Sequence, residues 1–204
     1  MVSLIHCQSG DRGSSHAELN WPTRLKIAKG IARGLGFLYA EFSGLELPHG
    51  NLKSSNVLLG DDHEPVLSDY AFQPLMNPAN AAQAMFAYKT PDFLALQRVS
   101  QKSDVFCLGI ILLEILTGKF PSQYLTNGKG GTDVVHWALS AAGSEDHERE
   151  LLDPEILAAA SAGGAAGRQM LRLLRIGTAC VEGNPQQRLD MREAIRRIEE
   201  VQAG

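Results

Sequence analysis

The sequence predicts a mainly α-helical unit carrying one small β-ribbon, on three observations. Apolar residues recur at three-and-four spacing from Trp21 to Leu38, the mark of a helix with one buried face. Residues 104–117 are apolar nearly all round, as a helix buried at the centre of a domain must be. Only two short runs, Val57-Leu58-Leu59 and Val66-Leu67-Ser68, carry a strand signature, and Gly60-Asp61-Asp62 lies between them as a turn.

The elements follow in order. Residues 1–19 are polar and rich in Ser and Gly, so mostly loop is expected. Asn20 is placed to cap the first helix, with Pro22 tolerated in its first turn and an end near Phe42. Gly30, Gly34 and Gly36 weaken that helix, and their expected justification is close packing against a neighbour. From Asp69 to Asp92 periodicity fades and Pro74, Pro78 and Pro91 intervene, so an ordered loop is expected. The central helix, 104–117, stops at Gly118. Residues 119–131 read as loop, and Thr132 to Ala141 as a helix capped by Thr132 or Asp133. Residues 143–150 are mostly charged, and the small-residue run 157–167 reads as a flexible insert. A helix is expected over Gln169 to Cys180. A last one follows Asp190, where Asp190 and Glu193 have capping-box spacing and Met191, Ala194, Ile198 and Val201 form the apolar face.

A chain of 204 residues suits one domain or one large lobe of a bigger one. A net charge of -4 without a long basic run argues against nucleic-acid binding as the main task. Cys7, Cys107 and Cys180 are too scattered for a zinc site or a disulfide scaffold, so packed or idle thiols in a reducing compartment are expected. The N-terminus lacks the charged start and apolar run of a signal peptide. The most apolar stretch, 105–116, contains Glu114 and is too short to span a bilayer.

Three segments carry the functional argument together. They are His49-Gly50-Asn51-Leu52-Lys53-Ser54-Ser55-Asn56, Ser68-Asp69-Tyr70-Ala71, and Tyr88-Lys89-Thr90-Pro91-Asp92 followed by Ser103-Asp104-Val105-Phe106-Cys107-Leu108-Gly109. In this order and with these gaps they resemble the catalytic loop, metal-binding turn, end of the activation segment and central helix of a protein kinase, and Arg188 adds a fifth landmark. The stretches NWPTRLKIAKGIARGLGFLY, HGNLKSSNVLL and GIILLEILTGKFP resemble plant receptor-like kinases. HGNLKSSNVLL together with SDYAF and AYKTPDF is most similar to the pollen receptor-like group with leucine-rich-repeat ectodomains. The resemblance implies a kinase C-terminal lobe over residues 20–202, preceded by a post-hinge segment over residues 1–19. The sequence contains no glycine-rich phosphate loop and no Val-Ala-Ile-Lys-like strand, so the N-terminal lobe is expected to be absent and half the nucleotide cleft with it.

What the resemblance implies about chemistry is mixed. The catalytic loop's general base is an Asp in the family and Asn51 here. A carboxamide can orient a hydroxyl but cannot accept its proton, and general-base help is worth about 10²–10⁴ in rate. Lys53 matches the lysine that neutralises the transferring phosphate, and Asn56 and Asp69 match the two metal ligands. These survive either as a half-built magnesium site or as hydrogen-bonders in a tight loop. ATP and Mg are the cofactors the family implies, with binding by this chain not expected.

Gly50 stands where the family's Arg receives a loop phosphate, and residues between Phe72 and Ala87 include no Ser, Thr or Tyr. Met85 replaces a Thr that touches the base and the lysine, and Ala71 replaces the glycine of the metal-binding turn. Asp92 replaces the Glu that pairs with Arg188. Asp104 is expected to accept backbone N–H bonds from the catalytic loop, and His49 to pack and bond in the core.

Three functions are therefore in competition. The first is a pseudokinase module that docks signalling proteins, such as kinases or exchange factors, on helices 132–141 and 169–202. The second is a weak ATP-dependent serine/threonine kinase within a full-length parent. The third is a non-functional fragment. The family would put a parent at the plasma membrane with this lobe on the cytoplasmic side. The chain as given is expected to be soluble and cytoplasmic, with no nucleic-acid partner and no membrane contact except through such a parent.

Overall fold

The computed structural model describes residues 2–4, 19–42, 44, 47–70, 90–91, 99–119, 132–159 and 164–204. Ala71, Met85 and Asp92, the loop readings over 71–89 and 120–131, and Cys7 lie outside the described residues. The described elements are β1 (Val2–Ser3), α1 (Trp21–Glu41), β2 (Val57–Leu59), β3 (Pro65–Leu67), α2 (Gln101–Thr117), α3 (Thr132–Ala141), α4 (Glu145–Leu151), α5 (Pro154–Ala159), α6 (Ala165–Cys180) and α7 (Met191–Glu199). The mainly helical fold expected from the sequence is present.

Helix α1 begins as its residues dictate. Asn20 Oδ1 accepts from the Thr23 amide at 3.1 Å, and Pro22 occupies the first turn, where a missing N–H costs nothing. The glycine reading holds most sharply at Gly30: a Cβ there would lie 2.4 Å from Pro65 Cγ, so only glycine lets α1 approach β3 this closely.

Helix α2 starts three residues earlier than its apolar run. Ser100 and Ser103 form a reciprocal capping box, with the Ser103 amide donating to Ser100 Oγ and the Ser100 amide to Ser103 Oγ, both at 3.2 Å. Polar residues at a helix start blur its edge in the sequence. At its far end Gly118 adopts φ 66° and closes the helix, as expected. Every residue from Ser103 to Thr117 is buried, and α2 is the axis of the core. Gly109 lets α6 approach: a Cβ there would meet Cys180 Cβ at 2.7 Å and the Gly177 carbonyl at 2.8 Å. Cys107 and Cys180 are buried and in no disulfide, and burial pushes the Cys180 thiol up to about 12.

Three expectations need correction, and the charged run adds an element to which the sequence reading assigned no structure. The ribbon is a three-stranded antiparallel sheet in the order β1-β2-β3, because Val2 and Ser3 pair with Leu59 and Leu58. Two residues are too few to show an alternation. The third strand covers Pro65–Leu67, one residue earlier than read, since the register pairs Val57 with Leu67 and Leu59 with Pro65. The charged run contains helix α4, with acidic residues in its first turn and Arg149 in its last, an arrangement that suits the helix dipole. The small-residue run is not all insert: α5 extends to Ala159 and α6 begins at Ala165, four residues before Gln169. Alanine is the best helix former, and burial of Met170, Leu173 and Leu174 recruits it.

Two buried arginines tie the helices together. Arg24 is fully buried in the first turn of α1. Its Nε donates to the Leu19 carbonyl at 2.6 Å, Nη1 to Ile115 at 2.7 Å, and Nη2 to Asp153 Oδ2 at 2.6 Å. Arg188 donates to the carbonyls of Glu182 and Lys102, at 2.8 and 2.7 Å. Its expected pairing with Asp92 lies outside the described residues.

In α7, Asp190 Oδ1 accepts from the Glu193 amide at 2.8 Å, half of the expected capping box. The Glu193 carboxylate is instead taken by Arg196 and Arg197. Met191, Ala194, Ile198 and Val201 are all buried, as the apolar face required.

Candidate functional site

The segment 49–56 links α1 to the sheet, and a single carboxylate from α2 fixes its backbone. Asp104 accepts from the amides of His49, at 2.6 Å, and Gly50, at 3.0 Å, as expected. Gly50 has φ 79°, a conformation glycine adopts at little cost. It lets two successive amides converge on one carboxylate. A third donor was not foreseen: the Tyr39 hydroxyl reaches Asp104 Oδ2 at 2.6 Å. The signal was available, since Tyr39 lies four residues beyond Leu35 on the buried stripe of α1.

Burial dominates the electrostatics here. It raises Asp104 to about 6 against the pull of these three donors, and raises Tyr39 far above its usual range. His49 is buried, and desolvation lowers it to about 4, so its ring is neutral at pH 7. Its Nδ1 accepts from the Asn51 amide at 3.3 Å, and its ring meets Tyr70 edge-on with centroids 6.3 Å apart. Its Nε2 is buried with no hydrogen-bond partner, so the expectation that His49 bonds in the core is met on one side of the ring only.

Asn51 follows, half-buried, and its Oδ1 is also buried without a partner. Lys53 is half-buried at the start of a short 3₁₀ turn, Ser54–Asn56. Asn56 is buried, and its Nδ2 donates to the Asn51 carbonyl at 2.8 Å. The carboxamide of residue 56 thus braces the backbone of residue 51. The Ser68 amide donates back to the Asn56 carbonyl at 3.0 Å, which carries the turn containing Asp69 to the same place. Asp69 is exposed and holds φ 58°, an uncommon conformation for a residue with a Cβ. Ser68 Oγ lies 3.4 Å from its Oδ2. Among the described residues no group of three or more His, Cys, Asp or Glu side chains converges as a metal site.

The donor set nevertheless suits magnesium. The Asn56 side chain uses its N–H toward Asn51, which leaves Oδ1 as a hard oxygen ligand, and Asp69 offers an exposed carboxylate. Asn56 and Asp69 would hold such an ion, which would supply positive charge against phosphate. Lys53, Asn56 and Asp69 come to one neighbourhood, whereas Asp104 and Arg188 serve the scaffold.

Comparison with known proteins agrees with this geometry. Residues 10–197 match the protein kinase domain family. The chain is 61% identical over 199 residues to pollen receptor-like kinase 6 of Arabidopsis thaliana, covering 98% of this chain and 29% of that protein. It is 57% identical over 199 residues to pollen receptor-like kinase 3 of the same plant, covering 98% and 31%. It is 46% identical over 202 residues to a probable LRR receptor-like serine/threonine-protein kinase, also from Arabidopsis thaliana, covering 98% and 29%. The chain thus spans under a third of the length of these relatives. Among solved structures, the pseudokinase domain of BIR2, an immune regulator of the RLK/Pelle family, superimposes with a TM-score of 0.78 at 26% identity, covering 98% of this chain and 56% of that one. With its sequence matched along nearly its whole length, and similar to pollen receptor-like kinases over that length, the chain belongs to the protein kinase domain family.

Proposed function

We propose that this lobe is a pseudokinase module of a receptor-like kinase that acts by docking signalling proteins and does not transfer phosphate. One observation carries the reading. Asn51 stands where the family keeps its general base, and its carboxamide oxygen is buried without a partner. An amide oxygen takes up no proton near neutral pH, so the substrate hydroxyl would have to lose its proton unaided. His49 does not substitute, because its ring has a single unpartnered nitrogen and that atom is buried away from solvent. The likeness to the BIR2 pseudokinase domain supports the same reading. In a full-length parent the lobe would sit at the cytoplasmic face of the plasma membrane. No helix among the described residues is long and apolar enough to cross a membrane.

A second reading, slow ATP-dependent serine/threonine phosphorylation within a parent, is favoured by the joint survival of Lys53, Asn56 and Asp69. Phosphate-transfer assays separate the two. In a kinase domain completed with an N-terminal lobe, the Asn51 protein should move no labelled phosphate above the background of its Asp69→Ala variant. Asn51→Asp should raise transfer by about 10²–10⁴. Ordinary turnover with Asn51 in place would refute the pseudokinase reading. The 204-residue chain alone should show no saturable rise in melting temperature with Mg-ATP.

A further inference from the structure

The strongest uncommitted feature is a cleft of about 360 Å³ between α6 and α7, away from the catalytic loop. It is lined by Arg172, Arg175 and Ile176 on one side and Arg196, Arg197 and Glu200 on the other. Four guanidiniums and the Glu200 carboxylate line it, and Glu148 and Glu193 pair with three of the four from its edge, which leaves an excess of one positive charge on a chain whose net charge is -4.

Neighbouring carboxylates pin the arginines. Arg172 Nη2 donates to Glu200 Oε2 at 2.6 Å, and Arg196 Nη1 donates to the other oxygen of Glu200. Arg196 and Arg197 both donate to Glu193, whose carboxyl they hold down at about 2. Arg175 donates through Nε and Nη2 to the buried Glu148. Each guanidinium carries five N–H groups. Arg197 commits Nε to Glu193, and Arg175 commits Nε and Nη2 to Glu148, so both retain further N–H groups for an incoming acceptor. The cleft is already shaped around anionic oxygen: Glu200 bridges its two walls through Arg172 and Arg196.

We propose that this four-arginine cleft binds the phosphomonoester of a phosphorylated serine or threonine segment on a partner protein. A phosphoryl dianion offers three strong acceptor oxygens, and guanidinium forks match them. The volume lies at the lower end of side-chain-sized pockets, and Ile176 supplies an apolar contact for the stem that carries the phosphate. The four guanidiniums converge on one concave cleft, where three carboxylates pair with them. Membranes and nucleic acids instead require broad basic faces. The proposal deepens the docking reading by naming its site. It stands whether or not residue 51 supports catalysis, so the two readings fail separately.

Fluorescence anisotropy on the 204-residue chain tests it, with a short labelled peptide that bears a single phosphoserine and no other side-chain charge. Saturable binding is expected, weakening with salt and at least about tenfold weaker for the serine form, since one charge-assisted hydrogen bond is worth that much. Arg172→Gln with Arg197→Gln should lose binding by about tenfold or more with the melting temperature unchanged. Glu200→Gln removes the competing carboxylate and should tighten binding, which keeps the test decisive if the double variant fails to fold. Equal binding of both peptides, no gain from Glu200→Gln, or inorganic phosphate binding as tightly as the phosphopeptide would each overturn the assignment.

Discussion

The helical scaffold and the catalytic loop treat their buried polar groups differently. In the scaffold, Arg24 reaches two carbonyls and a carboxylate, and Arg188 reaches carbonyls from two segments. In the loop, Asp104 is fully used, yet His49 Nε2 and Asn51 Oδ1 are buried with no partner. Orphaned buried polar atoms are rare in folded proteins and costly where they occur. Two of the three such side-chain atoms among the described residues sit in this loop. Asp104 and Asn56 hold the loop's backbone in place while position 51 carries a carboxamide. The lesson is that backbone positioning and side-chain satisfaction reside in different atoms.

Breaking the scaffold should have the largest effect. Arg24→Ala removes the guanidinium from Asp153 and the donors from two buried carbonyls, and should cost about 3–5 kcal/mol in urea unfolding. A loss under about 1 kcal/mol would mean the satisfied network contributes no more than an exposed pair.

Asp104→Asn comes next, at about 2 kcal/mol, because it sets an N–H against donors that now meet a carboxylate. The pH profile sharpens the contrast. Burial raises Asp104 from 3.8 to about 6, so its contribution is full below 3.8 and is lost as pH rises through about 6. Burial lowers His49 from 6.5 to about 4, so its contribution is full above 6.5 and is lost as pH falls through about 4. The two slopes oppose each other between about pH 4 and 6. Asp104→Asn should leave stability rising with pH across that window, and His49→Gln should leave it falling. Urea midpoints at several pH values measure both. Parallel slopes in the two variants would show that other groups control the window.

The smallest effect tests the loop's orphaned oxygen directly. Asn51→Leu removes a buried acceptor without a partner at similar volume, and should be neutral or stabilising by up to about 1 kcal/mol. A clear loss of stability would reveal a partner for that carboxamide and weaken the contrast.

Much of this was legible in the chain itself. The capped start of α1, the stop at Gly118 and the buried face of α7 all follow from short-range rules that neighbours in sequence enforce. The ordering of Asn51, Lys53, Asn56 and Asp69 was read instead from the resemblance to a protein kinase. Arg24 was not legible, because a charged residue near a helix start is ordinarily read as solvated. Its partners Ile115 and Asp153 are distant in sequence, and only the packed core brings them together. The same holds for the two-residue strand β1, whose pairing to β2 no local alternation announces.

The sequence by itself determined the helical periods, the caps and the identity of the side chain at position 51, because each depends on residues within a few positions of one another. Only the tertiary structure decided which polar atoms are satisfied. Tyr39 came to Asp104, Asn56 came to brace residue 51, and four arginines converged across α6 and α7. Long-range hydrogen-bond partners are set by packed surfaces, and local periodicity can mark a buried face without naming what meets it.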